Sequence, residues 1–468
     1  MITCDLNKTI VDALGKFNDP MGYVLLAALA LCSLWYTLRT HGAQFRLFPE
    51  MCRLLFESNK KEGKQISSFQ AFAVSIASRV GTGNLAGVAT AIYLGGPGAV
   101  FWMWVMALLG SANAFVESTL AQLFKIKGKD SFIGGPAYYI TKGLHKKWFA
   151  YIFALAIIAD FGLTNNMVQS NTISIAFNSA FGITTNWMAI GLTALTLLII
   201  FGGIQRIAKV SSVIVPVMAI AYLILAIYVI ATNFQSIPKV LDMIFTNAFG
   251  FNQFMGGGVG TAVVIGFKRG LFSNEAGEGS APNAAATADV SHPVKQGLIQ
   301  ALGVYTDTLL VCSCTAFIIL CSGVFNNGQT GIELTQTALT SEIGPIGATF
   351  IAITIFLFAF TSVIGNYYYG ESNLYFMSQK KSTMFTYRIA VGALVLIGAL
   401  VKVDLAWAFV DVFMAIMTIC NLIAIMLLGK YAVKALRDYD KQRKAGKNPE
   451  YHKSTIPEIA NETECWEE

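Results

Sequence analysis

SRVGTGNLAG, residues 78–87, interrupts one of the most apolar regions of the chain. FQAFAVSIA (69–77) runs up to it and VATAIY (88–93) continues beyond it. An arginine, an asparagine and the glycines 81, 83 and 87 are poor material for a helix interior, where each glycine costs about 1 kcal/mol relative to alanine. The break falls where unsatisfied backbone is most costly.

Its surroundings show why the position matters. The 468 residues are 55% hydrophobic and only 13% charged, against roughly a quarter charged in soluble domains. A larger core does not account for that deficit, because the surface of a soluble protein must still meet water. The composition describes an all-α polytopic membrane protein. Segments near the roughly 20 apolar residues of a membrane span fall at 21–40, 66–93, 98–124, 148–180, 187–204, 208–232, 257–288, 293–322, 345–377, 384–401 and 405–429. The second, fourth, seventh and ninth exceed a straight span and are predicted to be tilted, broken or continued into water. Ahead of the first span Lys8 and Lys16 are mixed with Asp5, Asp12 and Asp19, unlike the basic start of a cleaved signal.

Lysines and arginines set the orientation. One side collects Arg39 to Lys64, Lys125 to Lys147, Arg206, Lys209, Lys295, Lys380, Lys381, Arg388 and the tail from Lys430 to Lys453. The other side has Lys8, Lys16, Lys239 and Lys402. The positive-inside rule then puts the N-terminus outside a plasma (inner) membrane and the tail in the cytoplasm, as an odd number of spans requires. The tail, basic and then acidic in IPEIANETECWEE (456–468), reads as a helix extension followed by disorder.

The break has a counterpart. Aligning RVGTGNLAGVATAI (79–92) with RGLFSNEAGEGSAP (269–282) pairs Arg79 with Arg269, Asn84 with Asn274, Ala86 with Ala276, Gly87 with Gly277 and Ala91 with Ala281. Each stretch opens a block of five spans. Five is odd, so the second block enters the membrane from the opposite side, and an inverted-topology repeat results. The expected units are 1–65 (an extra span and loop), 66–232 and 233–429 (the two halves) and 430–468 (the tail). Interrupted segments at matching places in such halves point to a substrate site at the midplane. Backbone freed from a helix in hydrocarbon must face protein or a cavity that supplies partners. Freed N–H groups suit a carboxylate, and freed carbonyls suit Na⁺ or an ammonium. Read alone, the glycines favour close helix packing slightly over a site, and the matching break reverses that.

Other classes find little support. No GxxxxGK[ST] stretch or soluble nucleotide domain accompanies the spans, which disfavours an ATP-driven pump. No intramembrane histidine is available to activate a nucleophile, so an enzyme is not expected. An ion channel remains a distant alternative. The eight cysteines lack CxxC spacing and the four histidines are scattered, so neither a resident metal nor an organic cofactor is expected, and nothing suggests nucleic-acid binding. The expected partners are an amino-acid substrate and the lipid bilayer.

In GTGNLAGVATAI, GGPGAVFWMWV, SNEAGEGSAPNAAATA and GNYYYGE the sequence resembles the alanine or glycine:cation symporter (sodium:alanine symporter) family. The resemblance covers essentially the whole chain. It implies the LeuT-type fold, ten core helices in two inverted halves with one helix ahead of them, and Na⁺-coupled symport of alanine or glycine. It further implies that the N–H groups of Thr82 and Gly83, in the Val80–Asn84 break, hold the substrate carboxylate. The carbonyls of Ala77, Val80 and Phe358 and the hydroxyls of Thr361 and Ser362 would then hold Na⁺, neutral hard oxygens that suit this ion.

In DFGLTNNMVQSNTI (160–173), far too polar for lipid, Asn165 and Gln169 share a helix face and Asn166 lies one turn from Gln169. The resemblance places Gln169 at the substrate; a purely interhelical amide network is the alternative for all three. The second break, aligned at Gly270–Asn274, is expected to wall the pocket with Phe272 and to offer the backbone through Ser273 to the substrate amine. The family commonly carries tryptophan where this chain has Asn366, which implies a wider, polar pocket and makes glutamine or asparagine an alternative substrate. The charges Arg79, Lys268, Arg269, Glu275 and Glu278 are costly in the membrane unless paired or wet. An ion-paired gate between Arg79 and one of the glutamates is one reading, and proton coupling through Glu275 or Glu278 another.

Overall fold

A computed structural model describes residues 2–57, 66–129, 131–249, 258–402 and 404–467. The helices that matter here are α1 (Ile2–Arg39), α2 (Ser68–Arg79), α3 (Val88–Gly95), α4 (Gly98–Leu123), α5 (Lys147–Phe181), α6 (Thr185–Ile200), α7 (Gly203–Thr232), α8 (Gly258–Asn274), α9 (Ala281–Ala285), α10 (Pro293–Ser322), α11 (Gly331–Ile343), α12 (Ile346–Met377), α13 (Lys381–Leu400) and α14 (Asp404–Lys444). Eight of the described helices are individually long and apolar enough to cross a membrane. The other expected spans fall on α6 and on the half-helix pairs α2/α3 and α8/α9. Position 257 and Lys60, Lys61 and Lys64 lie outside the described residues.

Local sequence explains the ends of the broken elements. Ser67 caps α2, accepting from the Gln70 N–H at 3.1 Å while Gln70 Oε1 accepts from the Ser67 N–H at 3.0 Å, a reciprocal capping box. Val80 then leaves helical geometry at φ −80°, ψ 88°. The chain resumes as a loosened π-helical turn, Gly83–Gly87, before α3. Similar turns interrupt α5 at Ile158–Thr164 and α10 at Tyr305–Cys312. Such turns often mark functional sites because they release backbone groups from the regular ladder. α12, by contrast, runs unbroken for 32 residues.

α4 lies at the centre, packed against α1, α8, α10 and α14, while α5 packs on α12 and α13. α7 shows the opposite pattern, with Val213, Val217, Ile220, Ile224 and Ile227 exposed along one face, as expected of a lipid-facing helix.

The expectation of a disordered tail is overturned within the described residues. α14 extends to Lys444, Gly446 turns the chain at φ 73°, and residues 448–467 fold back over the basic ends of the helices. The Tyr451 N–H donates to the Ser291 carbonyl at 2.9 Å, and Trp466 Nε1 donates to the Gln122 carbonyl at 3.0 Å. The Lys125 ammonium lies 4.8 Å from the Trp466 ring centroid. Tyr451, Ile456, Ile459 and Trp466 are buried, so these apolar residues hold in place a segment whose charge pattern suggested solvent.

Candidate functional site

At the first break the freed backbone is held by uncharged side chains. The Gly81 N–H donates to Asn84 Oδ1 at 2.9 Å, and the Thr82 N–H to Gln169 Oε1 at 3.0 Å. Gln169 Nε2 donates to Asn165 Oδ1 at 2.9 Å, and Asn366 Nδ2 reaches the same oxygen at 3.3 Å. Ser78 Oγ donates between Asn366 Oδ1 at 2.6 Å and Glu275 Oε1 at 2.7 Å. A continuous polar row thus links the first break, α5, α12 and the start of the second break. The Thr82 hydroxyl is buried without a partner among the described residues, an orphan of the kind a ligand or a water satisfies.

The oxygens expected around a cation also converge. Ser362 Oγ lies 3.0 Å from the Ala77 carbonyl, 3.4 Å from that of Val80 and 3.1 Å from that of Phe358. Thr361 Oγ1 is 2.9 Å from the Phe358 carbonyl and is also bonded back to Leu357. Because α2 ends at Arg79, the Ala77 and Val80 carbonyls escape part of the helix ladder and face α12. Gly81 permits that approach: a Cβ there would collide with Ser362 Oγ. Four neutral oxygens, the Ser362 hydroxyl and the Ala77, Val80 and Phe358 carbonyls, meet here and are of the kind that suits a weakly held monovalent cation, while the Thr361 hydroxyl reaches only the Phe358 carbonyl among them.

The first break also meets α8 through a carboxylate. Asp307, in the π turn of α10, accepts from Asn84 Nδ2 at 2.6 Å, Ser273 Oγ at 2.8 Å and Thr308 Oγ1 at 2.8 Å. A Cβ on Gly83 would lie 3.1 Å from Ser273 Cα and 3.2 Å from Phe272 Cδ1, so Phe272 does stand against the break.

Three expectations need correction. α8 stays helical through Asn274, with the Glu275 N–H bonded to the Leu271 carbonyl at 2.8 Å. The second break is therefore at 275–280, not 270–274, where Glu275, Gly277 and Gly279 take φ of 57°, 92° and 84°; those dihedrals favour glycine. The alignment on Arg79 and Arg269 sets it more than a turn too early, since Arg79 ends its helix and Arg269 does not. Asn166 is joined to the polar row by no bond, its Nδ2 donating to the Gly162 carbonyl at 3.1 Å while its buried Oδ1 has no partner among the described residues. Arg79 makes no ion pair among the described residues; its guanidinium donates to the Gln300 carbonyl at 3.1 Å, while Glu275 takes Ser78 and Ser280 Oγ, the latter at 2.6 Å.

Glu117 and Asp307 escape sequence reasoning, although a lone carboxylate inside an apolar span is itself a signal of function. Glu117 Oε1 accepts from the Gly277 N–H and Oε2 from the Gly279 N–H, each at 3.2 Å. Asn421 Nδ2 adds a bond to Oε2 at 2.6 Å and Tyr139 donates to Asn421 Oδ1.

Residues 7–453 match the model of the sodium:alanine symporter family. The chain belongs to that family. It is an integral membrane transporter, and sodium-coupled amino-acid symport is the activity of its family. The chain is 51% identical over 466 residues to the probable sodium/glutamine symporter GlnT of Bacillus subtilis, covering 98% of this chain and 97% of that one. It is 53% identical over 455 residues to the amino-acid carrier protein AlsT of the same organism, covering 96% and 97%. Among solved structures, that of MhsT in complex with L-phenylalanine superimposes with a TM-score of 0.57 over 81% of this chain and 97% of that one. At 15% identity this likeness shows the fold alone, which is LeuT-type.

Proposed function

We propose that the chain imports a neutral amino acid with Na⁺, with the substrate at the first break and the ion among Ala77, Val80, Phe358, Thr361 and Ser362. The carrying observation is that the Thr82 N–H is held by a neutral amide, Gln169 Oε1. A substrate carboxylate would replace it with a charge-assisted bond, roughly twice as strong, and the released Gln169 amide would remain beside the ligand. Thr82, Gly83 and Gln169 then serve the carboxylate, Phe272 walls the side-chain space, and Asn84 and Ser273 tie the first break to α8 through Asp307. Ser362 Oγ, already against three carbonyls, would turn its hydrogen away and present a lone pair to the ion.

Glutamine is the substrate this arrangement favours, ahead of alanine or glycine. Asn165, Gln169 and Asn366 form a row of donors and acceptors able to satisfy a carboxamide, and the relative named for glutamine shares half of this sequence. Alanine is the second reading, supported by the close approach of Phe272 and Ser273 to Gly83, which leaves little room beside the break.

The orientation carries over from the charge distribution: N-terminus outside, tail inside, with 66–232 and 233–429 as the inverted halves. One Na⁺ moving inward through 100 mV releases about 2.3 kcal/mol, enough to concentrate a zwitterion about fortyfold at roughly 1.4 kcal/mol per decade. Radiolabelled glutamine and alanine uptake into proteoliposomes tests the reading. An imposed Na⁺ gradient should drive glutamine uptake, and a proton gradient alone should not. Uptake driven by protons alone would overturn the ion assignment, and alanine uptake without glutamine uptake would reverse the substrate order.

A further inference from the structure

The segment between α9 and α10, residues 286–292, is a hub on the basic face. Its Asp289 N–H donates to the Ile66 carbonyl at 3.0 Å, and Ala288 pairs with Ile66 as a short bridge just ahead of α2. From the other side α4 holds it, Gln122 Nε2 and Lys125 Nζ donating to the Ala288 carbonyl at 3.1 and 2.9 Å. The folded-back tail closes over the hub. The Ser291 hydroxyl donates to the Pro449 carbonyl at 2.8 Å, the Ser291 carbonyl accepts from the Tyr451 N–H, and Lys295 Nζ donates to Asn448 Oδ1 at 2.7 Å.

Trp466 completes the cover. Besides its bond to the Gln122 carbonyl, its ring meets that of Tyr451 at 5.2 Å and caps Lys125, whose ammonium lies between the Trp466 and Phe132 rings, 4.8 and 4.1 Å from their centroids. Lys125 is buried there. Removing the indole returns water to the ammonium and weakens its bond to Ala288, since hydrogen bonds are stronger where water is excluded.

α2 joins the hub to the central site. Its twelve residues span about 18 Å, from Ser68 beside the hub to the end that carries the Ala77 carbonyl. Ten of them are buried, so α2 plugs the bundle between the site and the basic face. At the break no regular ladder ties it to α3, and such an element end can serve as a hinge. Tilting the start of α2 away from the bundle must break the Asp289–Ile66 bond and the bond from Gln296 Nε2 to Ser68 Oγ at 2.7 Å.

We propose that the tail, residues 448–467, is a strap that holds the cytoplasmic passage shut. By covering Lys125 and Ser291 it fixes the hub, the hub fixes the start of α2, and α2 fixes the Ala77 and Val80 carbonyls. Loosening the strap favours the state open to the cytoplasm and weakens the hold on Na⁺. This inference rests on the reading above that the ion sits at the first break and that the basic face is cytoplasmic.

The test is hydrogen–deuterium exchange, read peptide by peptide on the purified full-length protein, beside Na⁺-driven glutamine uptake into proteoliposomes. Trp466→Ala should speed exchange across residues 66–79 about tenfold, because local opening is easier once a hydrogen bond and a cation–ring contact are lost. Exchange in α6, which packs on α13, should not change. The Na⁺ concentration for half-maximal uptake should rise about threefold, since a smaller share of the protein is then in the ion-holding state. Trp466→Phe, keeping a ring over Lys125 without the N–H, should fall between, and Ser291→Ala, losing only the bond to Pro449, should shift both readouts least. Faster exchange confined to 448–467, with 66–79 unchanged, overturns the proposal, because tail and α2 are then uncoupled. Faster exchange throughout the protein also overturns it, making the tail a general brace, as does faster exchange in 66–79 with an unchanged Na⁺ dependence. Should Trp466→Ala fail to fold, unchanged exchange across 66–79 in both Trp466→Phe and Ser291→Ala overturns it equally. Absence of Na⁺-driven uptake by the unsubstituted protein defeats the underlying functional reading instead, and the exchange comparison still decides whether the tail holds α2.

Discussion

The two interruptions of the bundle look alike in sequence and are built for different tasks. At the first, freed N–H groups of Gly81 and Thr82 are met by neutral amides of Asn84 and Gln169. At the second, freed N–H groups of Gly277 and Gly279 are met by both oxygens of Glu117, itself braced by Asn421. The two bonds to Glu117, 3.2 Å each, are no shorter than the 2.9 and 3.0 Å bonds of the first break, but both N–H groups are taken by one side chain. The second break is thus already occupied by a side chain of the protein, which leaves the Gly277 and Gly279 N–H groups unavailable to a ligand carboxylate. The first holds its place until a ligand carboxylate offers a better bond. One break is a socket and the other an anchored joint.

This contrast is easiest to break at Glu117. Glu117→Gln replaces a carboxylate oxygen by an amide that faces backbone donors with its own N–H, leaving a buried group unsatisfied. We expect about 1–3 kcal/mol of destabilisation, the cost of leaving a buried polar group without its partner, read as a drop in melting temperature in detergent. Wild-type melting would show that the second break does not depend on its carboxylate.

The cation side of the socket sharpens the comparison at smaller scale. Ser362 Oγ approaches three carbonyls, two of them at the first break, whereas Thr361 Oγ1 approaches only carbonyls of its own helix and Met218 Sδ of α7. Ser362→Ala should therefore raise the Na⁺ concentration for half-maximal uptake about tenfold, and Thr361→Ala by less. Equal effects would place the ion elsewhere. Smaller still is Asn366→Ala, which removes one amide from the polar row. A hydrogen bond contributes about 1 kcal/mol, so the preference for glutamine over alanine in competition uptake should fall roughly fivefold. An unchanged preference would detach Asn366 from selectivity.

Much of this was legible in the sequence. Glycines 81 and 83 inside an apolar run announced the first break, and the polar face of DFGLTNNMVQSNTI announced the amides that close it. The second break was misplaced because matching arginines governed the alignment, whereas the backbone follows Glu275 and the glycines 277 and 279. Glu117 and Asp307 stayed hidden because each is one charge in a long apolar span, and the partners that make it tolerable come from helices distant in sequence. Asn421 is 304 residues from Glu117, and Asn84 is 223 from Asp307. The packing of the tail depends on Tyr451, Ile456, Ile459 and Trp466, apolar residues scattered through a polar stretch and meeting partners equally remote in sequence.

The most direct measurement converts the socket into the joint. Gln169→Glu places a carboxylate against the Thr82 N–H, as Glu117 stands against Gly277 and Gly279. Equilibrium binding of radiolabelled glutamine in saturating Na⁺, measured on purified protein alongside its melting temperature, should fall by roughly two orders of magnitude, about 3 kcal/mol, while the lost Gln169 donation to Asn165 lowers stability by only about 1 kcal/mol and the protein still melts cooperatively. Wild-type affinity in Gln169→Glu would contradict the account and place the substrate carboxylate somewhere other than the first break.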